Sequence, residues 1–526
     1  MNTPGETARP DETTGPYATV SETHTSVLFF VADRVHKLKK PLDLGFLDHR
    51  ERSARERACH REVELNRRLA PDVYLGVEDL LGPDGAPTDH LVAMRLLPAS
   101  RRLSTLVRAG TDVTGIVTDI ARRIAGLHAR SPRSDAVDER GSADALDALW
   151  RDNLDHLDSL ALGDDVARRS HEIRSLAAQF LAGRGPLFEW RVADGRAVDG
   201  HGDLMADDIF ALPDGARIID CLEFDDALRC GDAMMDVAFL VMDLDRLGDR
   251  RAARVLVDTY CAETGDPCPT ALVHHFVAYR AVVRAKVWAL RHLQGDEPAR
   301  AAAIDRLDLA LDHLARARPR LVLVGGASGS GKSTTARAVG ALLDAPVLRS
   351  DVVRKEILAP GADPYTPDRL AATYRELVRR GAEELASGRS VVLDATWLDP
   401  AERHAAVAAA HRTQAEIVQV ECVAEPAVLH ERIARRSAAG DDPSDATGAV
   451  LDEQLRTRAP WPEAAPFDTG VTDPRDGLDE AWWCEVLGPL PWARQPLSLP
   501  GESLPGESVS RPSPAGPRRG RRDDGG

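Results

Sequence analysis

The pattern of hydrophobic and polar residues divides the chain into three regions of different texture. Residues 17–98 begin with an alternation of apolar and polar positions, SVLFFVADRVHKLKK, which predicts a β-hairpin. A helix is predicted from residue 51 to residue 69, and a further strand near residues 90–97. Residues 100–315 follow helical periodicity, apart from a strand-like, turn-rich stretch at 196–224.

In the third region, residues 320–490, short apolar strands alternate with helices. The strands are predicted at LVLVGG, PVLRS, SVVLDA and EIVQVEC, a pattern typical of an α/β domain with a doubly wound parallel sheet. A basic stretch containing proline, residues 315–320, precedes this region and predicts a domain joint. The two ends, residues 1–16 and 493–526, are polar and rich in proline and glycine, and are predicted to be disordered tails.

Composition and charge restrict the class of protein. The 526 residues include 67 Lys and Arg against 84 Asp and Glu, a net charge of −17 that argues against a nucleic-acid binder acting over the whole chain. No apolar run reaches the ~18 residues of a membrane helix, and the N-terminus lacks the apolar core of a signal peptide. The seven cysteines contain no CxxC pair. We therefore expect a cytoplasmic protein with reduced cysteines and no membrane association.

A glycine-rich motif, GASGSGKS, follows the predicted strand at 321–325 and precedes a helix predicted at 334–343. In a GxxxxGKS loop, glycines let successive backbone N–H groups point at phosphate oxygens, and the helix N-terminus adds partial positive charge. Lys332 is predicted to contact the β- and γ-phosphates and to act in catalysis, and Ser333 is predicted to bind Mg²⁺. The predicted ATP-binding residues of this motif are Gly326, Ser328, Gly329, Ser330, Gly331, Lys332, Ser333 and Thr334.

Acidic residues end the next two predicted strands. Asp351 lies where open parallel sheets bind ligands, and it is the candidate base that accepts a proton from an acceptor hydroxyl. Arg354, one helical turn further, is a candidate for holding the substrate or the γ-phosphate. A helix N-cap is the alternative role for Asp351. Asp394, at the end of the third strand, is a candidate Mg²⁺ carboxylate.

The segment HERIARR predicts a helix with Arg432, Arg435 and Arg436 on one side. A segment expected to be flexible, GDDPSDAT, follows at residues 440–447. Arginines beside a mobile segment are typical of a lid that closes over ATP, so Arg432 and Arg436 are predicted to contact the nucleotide. A basic face exposed to solvent is the alternative.

Through GASGSGKST, RSDVVRK and LDAT, this region resembles the small-molecule kinases among P-loop proteins, of the gluconate kinase and polynucleotide kinase type. The resemblance covers about 170 residues. It implies transfer of the γ-phosphoryl group of ATP to a hydroxyl group, with Asp351 as the base.

A second set of acidic residues lies in HGDLMADDIF and in IIDCLEF. Phosphoryl transfer from Mg·ATP requires a carboxylate that orients the acceptor hydroxyl and further acidic ligands for the metal. Asp203 is the candidate catalytic residue, and Asp208 and Asp220 are the candidate metal ligands. These three residues predict a second phosphotransfer site.

Residues nearer the N-terminus complete this set in the expected order. Lys37, on the strand RVHK, is predicted to contact the phosphates of ATP, and Glu62 is predicted to pair with it. Lys39 and Lys40 are neighbours of Lys37 and remain alternatives to it.

These residues resemble the aminoglycoside phosphotransferase and protein-kinase-like fold, which implies an α+β domain with two lobes, about 17–98 and 99–315. Segments such as ELNRRLAPDVYLGV and GDAMMDVAFLVMDL resemble a bacterial group in which this domain is fused to a P-loop kinase domain of the AAA family ATPase type. Two features depart from the usual pattern. Met205 and Asp208 replace the His and Asn of HGDLHxxN, and only SETHTS precedes Lys37 where a glycine-rich loop is usual.

The chain is therefore predicted to be a fusion of two kinases, residues 17–315 and 320–490. Both would use ATP and Mg²⁺, and both acceptors would be small hydroxyl-bearing metabolites. One alternative is an N-terminal domain that senses a nucleotide or ligand and regulates the P-loop ATPase. The other is a 5′-hydroxyl nucleic-acid kinase, which the acidic charge disfavours. No oligomeric state is predicted.

Overall fold

The computed structural model describes residues 18–23, 25–43, 48–357, 366–439, 447–472 and 480–491. All of them belong to one unit, residues 1–491, while a second unit, residues 492–526, lies outside the described residues. The two predicted tails and residues 440–446 of the predicted lid also lie outside them. Across these described ranges, no helix combines the length and the apolar character needed to cross a membrane.

The alternating residues near the N-terminus form a five-stranded antiparallel sheet in the order β1-β2-β3-β5-β4. The strands are Ala18–Glu22 (β1), Ser26–Val31 (β2), Arg34–Lys39 (β3), Tyr74–Leu81 (β4) and Pro87–Arg95 (β5). Helix α1, Arg52–Asn66, packs on this sheet and buries Cys59 and Val63 in its core. The predicted hairpin is β2–β3, and the predicted helix and later strand are present with slightly different ends.

The hydrophobic pattern does not predict β4, and the structure shows why. This strand lies at the edge of the sheet, and most of its side chains are at least partly exposed. Its pairing with β5 also shifts register between Tyr74 and Gly76. A strand with a bulge and little buried surface lacks the regular alternation by which strands are recognised.

The second lobe is mainly helical, as its periodicity predicts. Its helices are α2 (Leu103–Arg108), α3 (Thr114–Ala129), α4 (Asp135–Arg140), α5 (Ala143–Ser159), α6 (Asp164–Ala182), α7 (Gly185–Ala193), α8 (Asp226–Arg229), α9 (Ala233–Arg246), α10 (Arg250–Thr264), α11 (Thr270–Leu293) and α12 (Pro298–Arg316). Two short antiparallel pairs join β6 (Ala197–Asp199) to β9 (Cys230–Asp232) and β7 (Ile209–Leu212) to β8 (Gly215–Ile218). The predicted two-lobed α+β fold is confirmed.

The third region forms a five-stranded parallel sheet in the order β11-β12-β10-β13-β14. The strands are Arg320–Gly325 (β10), Val347–Arg349 (β11), Val391–Asp394 (β12), Glu416–Val423 (β13) and Ala465–Asp468 (β14). The helices are α13 (Lys332–Leu343), α14 (Ser350–Ile357), α15 (Pro367–Ala386), α16 (Pro400–Arg412), α17 (Pro426–Ala439), α18 (Gly448–Thr457) and α19 (Glu480–Leu487).

Successive residues of β10 face opposite sides of this sheet. Leu321 and Leu323 belong to a core with α15 and α16, whereas Val322 and Val324 belong to a core with α13 and α19. Helices therefore cover both faces, and the predicted doubly wound α/β sheet is confirmed. Strand β14 is an addition that the pattern does not predict, because only its Phe467 is fully buried.

The predicted joint at 315–320 lies between α12 and β10. Hydrogen bonds connect the regions on its two sides. His274 of α11 donates to the carbonyl oxygen of Pro491 at 2.5 Å, and Arg184 donates to the carbonyl oxygen of Thr413. The division into domains at 17–315 and 320–490 stays a prediction.

Candidate active sites

The phosphate-binding motif forms the turn between β10 and α13, so the loop opens a helix as the motif requires. Gly326, Gly329 and Gly331 have φ angles of +128°, +82° and +83°, which residues with a side chain rarely adopt. A Cβ atom on Gly329 would lie 2.8 Å from the carbonyl oxygen of Leu429. The backbone therefore requires glycine, and a loop of this kind can turn successive N–H groups toward an anion.

Asp394, the last residue of β12, is buried beside this loop. Arg349 lies between it and Ser333, with Nε 3.3 Å from the Asp394 carboxylate and Nη2 3.5 Å from the Ser333 hydroxyl oxygen. Burial raises the pKa of Asp394, against the opposing effects of Lys332 and Ser333. Its Oδ1 atom is buried and has no hydrogen-bond partner among the described residues. An unpartnered carboxylate oxygen near a hydroxyl group fits Mg²⁺, which takes oxygen ligands.

Asp351 and Arg354 lie at the same edge of the sheet, on α14. The Arg354 Nη2 atom is 3.0 Å from Asp351 Oδ1. Asp351 also lies close enough to Asp394 for its charge to raise the pKa of Asp394. Asp351 is the second residue of α14 and lies in its first turn. The acidic residue, its arginine and the phosphate loop are therefore brought together.

Arg432 of α17 is bound to the phosphate loop and its surroundings. Its Nη1 atom donates to the Thr469 hydroxyl at 2.9 Å and lies 3.4 Å from the Gly329 carbonyl oxygen, and its Nη2 atom donates to the Thr469 carbonyl at 2.7 Å. The Thr469 hydroxyl donates in turn to the carbonyl oxygen of Ser330 at 2.7 Å. Arg432 thus positions the loop, and nucleotide contact by Arg432 and Arg436 stays a prediction.

The N-terminal site is organised by a cluster of ion pairs between the lobes. Lys37 Nζ lies 2.9 Å from Glu62 and 2.9 Å from Asp220. Lys39 Nζ lies 2.7 Å from the other oxygen of Glu62 and 2.5 Å from Glu223. Burial alone would raise the pKa of Glu62, but the two lysines lower it to about 2. Lys37 pairs with Glu62 as predicted, and Lys39 contacts the same carboxylate.

Three carboxylates of this site influence one another. Burial raises the pKa of Asp208 well above its ordinary value, and the charges of Asp220 and Asp203 raise it further. Within the described chain, no three His, Cys, Asp or Glu residues are arranged to hold a metal by themselves. Mg²⁺ commonly takes one or two carboxylates together with phosphate oxygens. Asp208 and Asp220 fit that role, because a cation would relieve their mutual repulsion.

A cavity of about 300 Å³ adjoins this cluster. Lys37, Asp208 and Asp220 contribute charged groups to its lining, and Thr23 and Thr25 of the SETHTS segment also line it. Its apolar lining consists of Leu28, Phe30, Val35, Val73, Met94, Leu96, Leu97, Phe210 and Ile219. A cavity that combines an apolar lining with a few charged groups suits a nucleotide, whose base is flat and whose phosphates are anionic.

Asp236 of α9 fixes the loop that carries Asp203. Its carboxylate accepts hydrogen bonds from the backbone N–H groups of His201 at 2.8 Å and Gly202 at 2.7 Å. The His128 ring lies 3.0 Å from the same carboxylate. Because these contacts precede Asp203 directly, they restrict where its carboxylate can lie.

Comparison with known proteins places the chain in a family. Residues 321–461 match the AAA domain family. Protein Rv2004c of Mycobacterium tuberculosis strain H37Rv is 39% identical over 468 residues, which are 86% of this chain and 93% of that protein. This chain belongs to the Rv2004c family. The AAA match confirms the predicted P-loop domain.

Two solved structures are similar to parts of this member of the Rv2004c family. A choline/ethanolamine kinase family protein from Mesorhizobium loti is 17% identical, covers 57% of this chain and 88% of its own, and has a TM-score of 0.36. A gluconokinase from Sinorhizobium meliloti 1021 is 19% identical, covers 30% of this chain and 85% of its own, and has a TM-score of 0.24.

Three residues of this Rv2004c family member lie at the phosphate loop although no sequence prediction assigns them to it. Gln454 of α18 accepts a hydrogen bond from the backbone N–H of Ser328 at 2.8 Å. Thr469 and Arg349 make the contacts described above. Gln454 and Thr469 come from segments far along the chain, so only the fold brings them there, whereas Arg349 lies two residues before Asp351 in the RSDVVRK motif.

Proposed function

We propose that this protein is an ATP-dependent phosphotransferase whose P-loop region transfers the γ-phosphoryl group of ATP to a hydroxyl group of a small metabolite. The proposal rests on the meeting of the phosphate loop, Asp394 and the Asp351–Arg354 pair at one edge of a parallel sheet. ATP hydrolysis needs only a loop and a metal carboxylate. The additional carboxylate, paired with an arginine, favours transfer to a hydroxyl.

Each residue of the P-loop site has a distinct task. The loop backbone and Lys332 bind the phosphates and neutralise their charge. Bound Mg²⁺ would be held by Ser333 and Asp394 and would neutralise charge on the phosphate oxygens. Asp351 accepts the hydroxyl proton while the acceptor oxygen bonds to the γ-phosphorus. The bond from that phosphorus to the β-phosphate oxygen breaks and leaves ADP. Arg354, 3.0 Å from Asp351, orients its carboxylate.

The test uses full-length protein carrying Asp203→Asn, so that only the P-loop site turns over ATP. Lys332→Ala is expected to reduce acceptor-dependent ADP production by ~10²-fold or more, since it removes a charge that stabilises the transition state. Lys355→Ala, which changes an exposed lysine of α14, is the matched control and should leave turnover unchanged. Equal turnover in the two lysine variants would refute the proposal.

A second phosphotransfer site in the N-terminal lobes is supported by a separate observation. Lys37 contacts Glu62 and Asp220, each at 2.9 Å, beside a cavity of about 300 Å³. In protein kinases, a lysine paired with a helix glutamate near a metal-binding aspartate is the arrangement that binds ATP for transfer. Asp203 would orient the acceptor hydroxyl, and Asp208 and Asp220 would hold Mg²⁺.

This second site is tested in the Lys332→Ala protein. Asp203→Asn is expected to abolish the remaining phosphoryl transfer while ATP binding persists, because the cavity and the lysine cluster are untouched. Asp214→Asn, on the exposed turn between β7 and β8, is the control. If Asp203→Asn has no effect and ligands of the N-terminal lobes change turnover at the P-loop site, the sensor alternative is favoured.

Acceptors for both sites are sought by offering sugars, polyols and amino sugars with labelled ATP. A 5′-hydroxyl oligonucleotide in the same assay tests the nucleic-acid kinase alternative. We expect no transfer to it, because a chain with a net charge of −17 repels a polyanion.

A further inference from the structure

Arginine side chains gather around Asp203, on the side of the second lobe. The closest is Arg284 of α11, whose Nη1 atom lies 3.9 Å from Asp203 Oδ2. Both side chains are partly exposed, at 25% for Arg284 and 34% for Asp203, so a solute can reach them. Arg284 makes no hydrogen bond to any residue that the structure describes. Among the described residues, its one ion-pair partner is Asp203, the proposed catalytic residue.

Two further arginines extend this group. Arg246, at the end of α9, is bonded to Asp243 at 2.8 Å and 2.6 Å. Among the residues that the structure describes, Arg306 of α12 donates only to the carbonyl oxygen of Ala302 in its own helix, at 3.0 Å. Burial and the charges of Arg246 and Arg284 lower the pKa of Arg306, while Asp305 and Asp243 act in the opposite direction. Arg306 lies over the ring of Trp288, which is one helical turn after Arg284 on α11, so Arg284 and Arg306 lie on the same side of that helix.

Three acidic groups face this cluster of three arginines. Asp243 is fully buried and is shared between Arg246 and the backbone N–H of Ala206, which it accepts at 2.9 Å. Asp305 directly precedes Arg306 in the sequence. Asp203 is the residue proposed to orient the acceptor hydroxyl. The bond to Ala206 ties the cluster to the loop that carries Asp203. Like charges held together in this way lower the free energy of a bound anion.

Arg306 is also held in place by an aromatic ring. Its guanidinium carbon lies 5.2 Å from the centre of the Trp288 ring, and that of Arg291 lies 4.4 Å from the same ring. Arg291 differs from Arg306 because it forms an ion pair with Asp296 at 3.1 Å. The chain thus offers a matched control, an arginine on the same tryptophan whose charge already has a partner.

We propose that the acceptor of the N-terminal site is an anion, a hydroxyl-bearing carboxylate or phosphate ester whose negative group is bound by Arg284 and Arg306. The inference rests on the proposed second phosphotransfer site. The hydroxyl lies at Asp203 and the anionic group lies toward α11 and α12. A cationic acceptor is repelled by the same arginines, and a neutral one lacks a partner for them.

The test compares acceptors that share one carbon skeleton and differ in charge. D-gluconate, D-sorbitol and D-glucamine form one series, and glycerol 3-phosphate, glycerol and 3-amino-1,2-propanediol form another. Binding is measured by calorimetry and phosphoryl transfer by labelled ATP, both in full-length Lys332→Ala protein. We expect the anionic member of at least one series to bind ~10-fold or more tighter than the neutral one. Arg284→Gln or Arg306→Gln should each remove ~10-fold of that preference, and Arg291→Gln none.

If an anionic compound still binds equally well in both arginine variants, its binding is assigned to another site and does not support the inference. The inference is overturned if no anionic member outperforms its neutral analogue, or if the ammonium compounds are the better acceptors. It is also overturned if the variants lower kcat alone and leave the charge preference intact, since Arg284 would then act on the transferred phosphoryl group. An anionic preference without any transfer that depends on Asp203 would instead refute the proposed second kinase site.

Discussion

Replacing Glu62 by glutamine tests whether the ion-pair cluster holds the N-terminal lobe together. The Glu62 carboxylate is fully buried and accepts a hydrogen bond from Lys37 at 2.9 Å and another from Lys39 at 2.7 Å. Glutamine has almost the same shape but no charge. It can still accept one bond through its oxygen, while its amide nitrogen faces the second ammonium group.

The expected loss of stability follows from the hydrogen bonds that Glu62 accepts. A hydrogen bond to a charged group contributes ~1.5–3 kcal/mol, so one such bond lost and another weakened cost about 3 kcal/mol. The lysines also lower the pKa of Glu62 in the folded protein, so its ionised form stabilises the fold at neutral pH, in the same direction. Lys37 keeps Asp220 and Lys39 keeps Glu223, so neither lysine becomes an unpaired buried charge.

The same linkage fixes the direction of the pH dependence. A carboxyl group whose pKa is lowered in the folded state stabilises the protein above its unfolded pKa. That contribution is lost as the pH falls toward the folded value of about 2. The difference in stability between wild type and Glu62→Gln should therefore be largest above about pH 5 and shrink steadily below it.

The assay is urea unfolding of the full-length protein, followed by hydrogen exchange of peptides from β3 and α1, because a chain of this size can unfold in more than one step. Glu64→Gln is the matched control. It changes an exposed glutamate of the same helix, 2.8 Å from Arg61, and should cost less than ~0.5 kcal/mol. A loss below ~1 kcal/mol for Glu62→Gln at neutral pH would contradict the calculation.

Three other predictions follow from the contacts at the two sites. Gly329→Ala places a Cβ atom 2.8 Å from the Leu429 carbonyl oxygen at a φ of +82°, so nucleotide titration should show ATP affinity at the P-loop site falling ~10-fold or more. Arg432→Gln removes the bonds of 2.9 Å and 2.7 Å to Thr469 and should lower the free energy of unfolding by ~2 kcal/mol, measured by urea denaturation. In wild type, Mg²⁺ should bind more tightly at higher pH, since Asp208 must lose its proton, and Mg²⁺ titrations of Asp208→Asn should show a flatter pH profile.

The sequence predicts the helices and strands in which one face is regularly buried. The strands of the parallel sheet stand out because both of their faces are covered, as at Leu321–Val324, where every residue is buried. Strands β4 and β14 are not predicted, for the opposite reason. Each lies at the edge of a sheet and buries few of its side chains. Edge strands are defined by their hydrogen bonds to a neighbour, and those partners are distant in sequence.

The residues of the two sites also fall into those that the sequence predicts and those that it does not. A phosphate loop is encoded in contiguous residues, and acidic residues after parallel strands meet because such strands end at one edge, so Lys332, Asp351 and Asp394 could be placed together. Gln454 could not be found, since one contact with the loop leaves no spacing rule in the sequence, whereas Arg349 stands in the RSDVVRK motif and was not assigned a role there. Lys39 was expected only as a substitute for Lys37, yet its 2.7 Å contact makes it a second partner of Glu62.

The net charge of −17 says less about which ligands the protein binds than the local arrangement of its charged residues does. At the N-terminal site, the charges of Asp220 and Asp203 raise the pKa of Asp208, and a bound cation would relieve this repulsion. Arg284 lies 3.9 Å from Asp203, and neither Arg284 nor Arg306 donates a hydrogen bond to a carboxylate in the described chain. We expect such a site to select a metal through its carboxylates and an anionic acceptor through its arginines. Local placement of charge, rather than its sum, therefore determines which small molecules this acidic protein can bind.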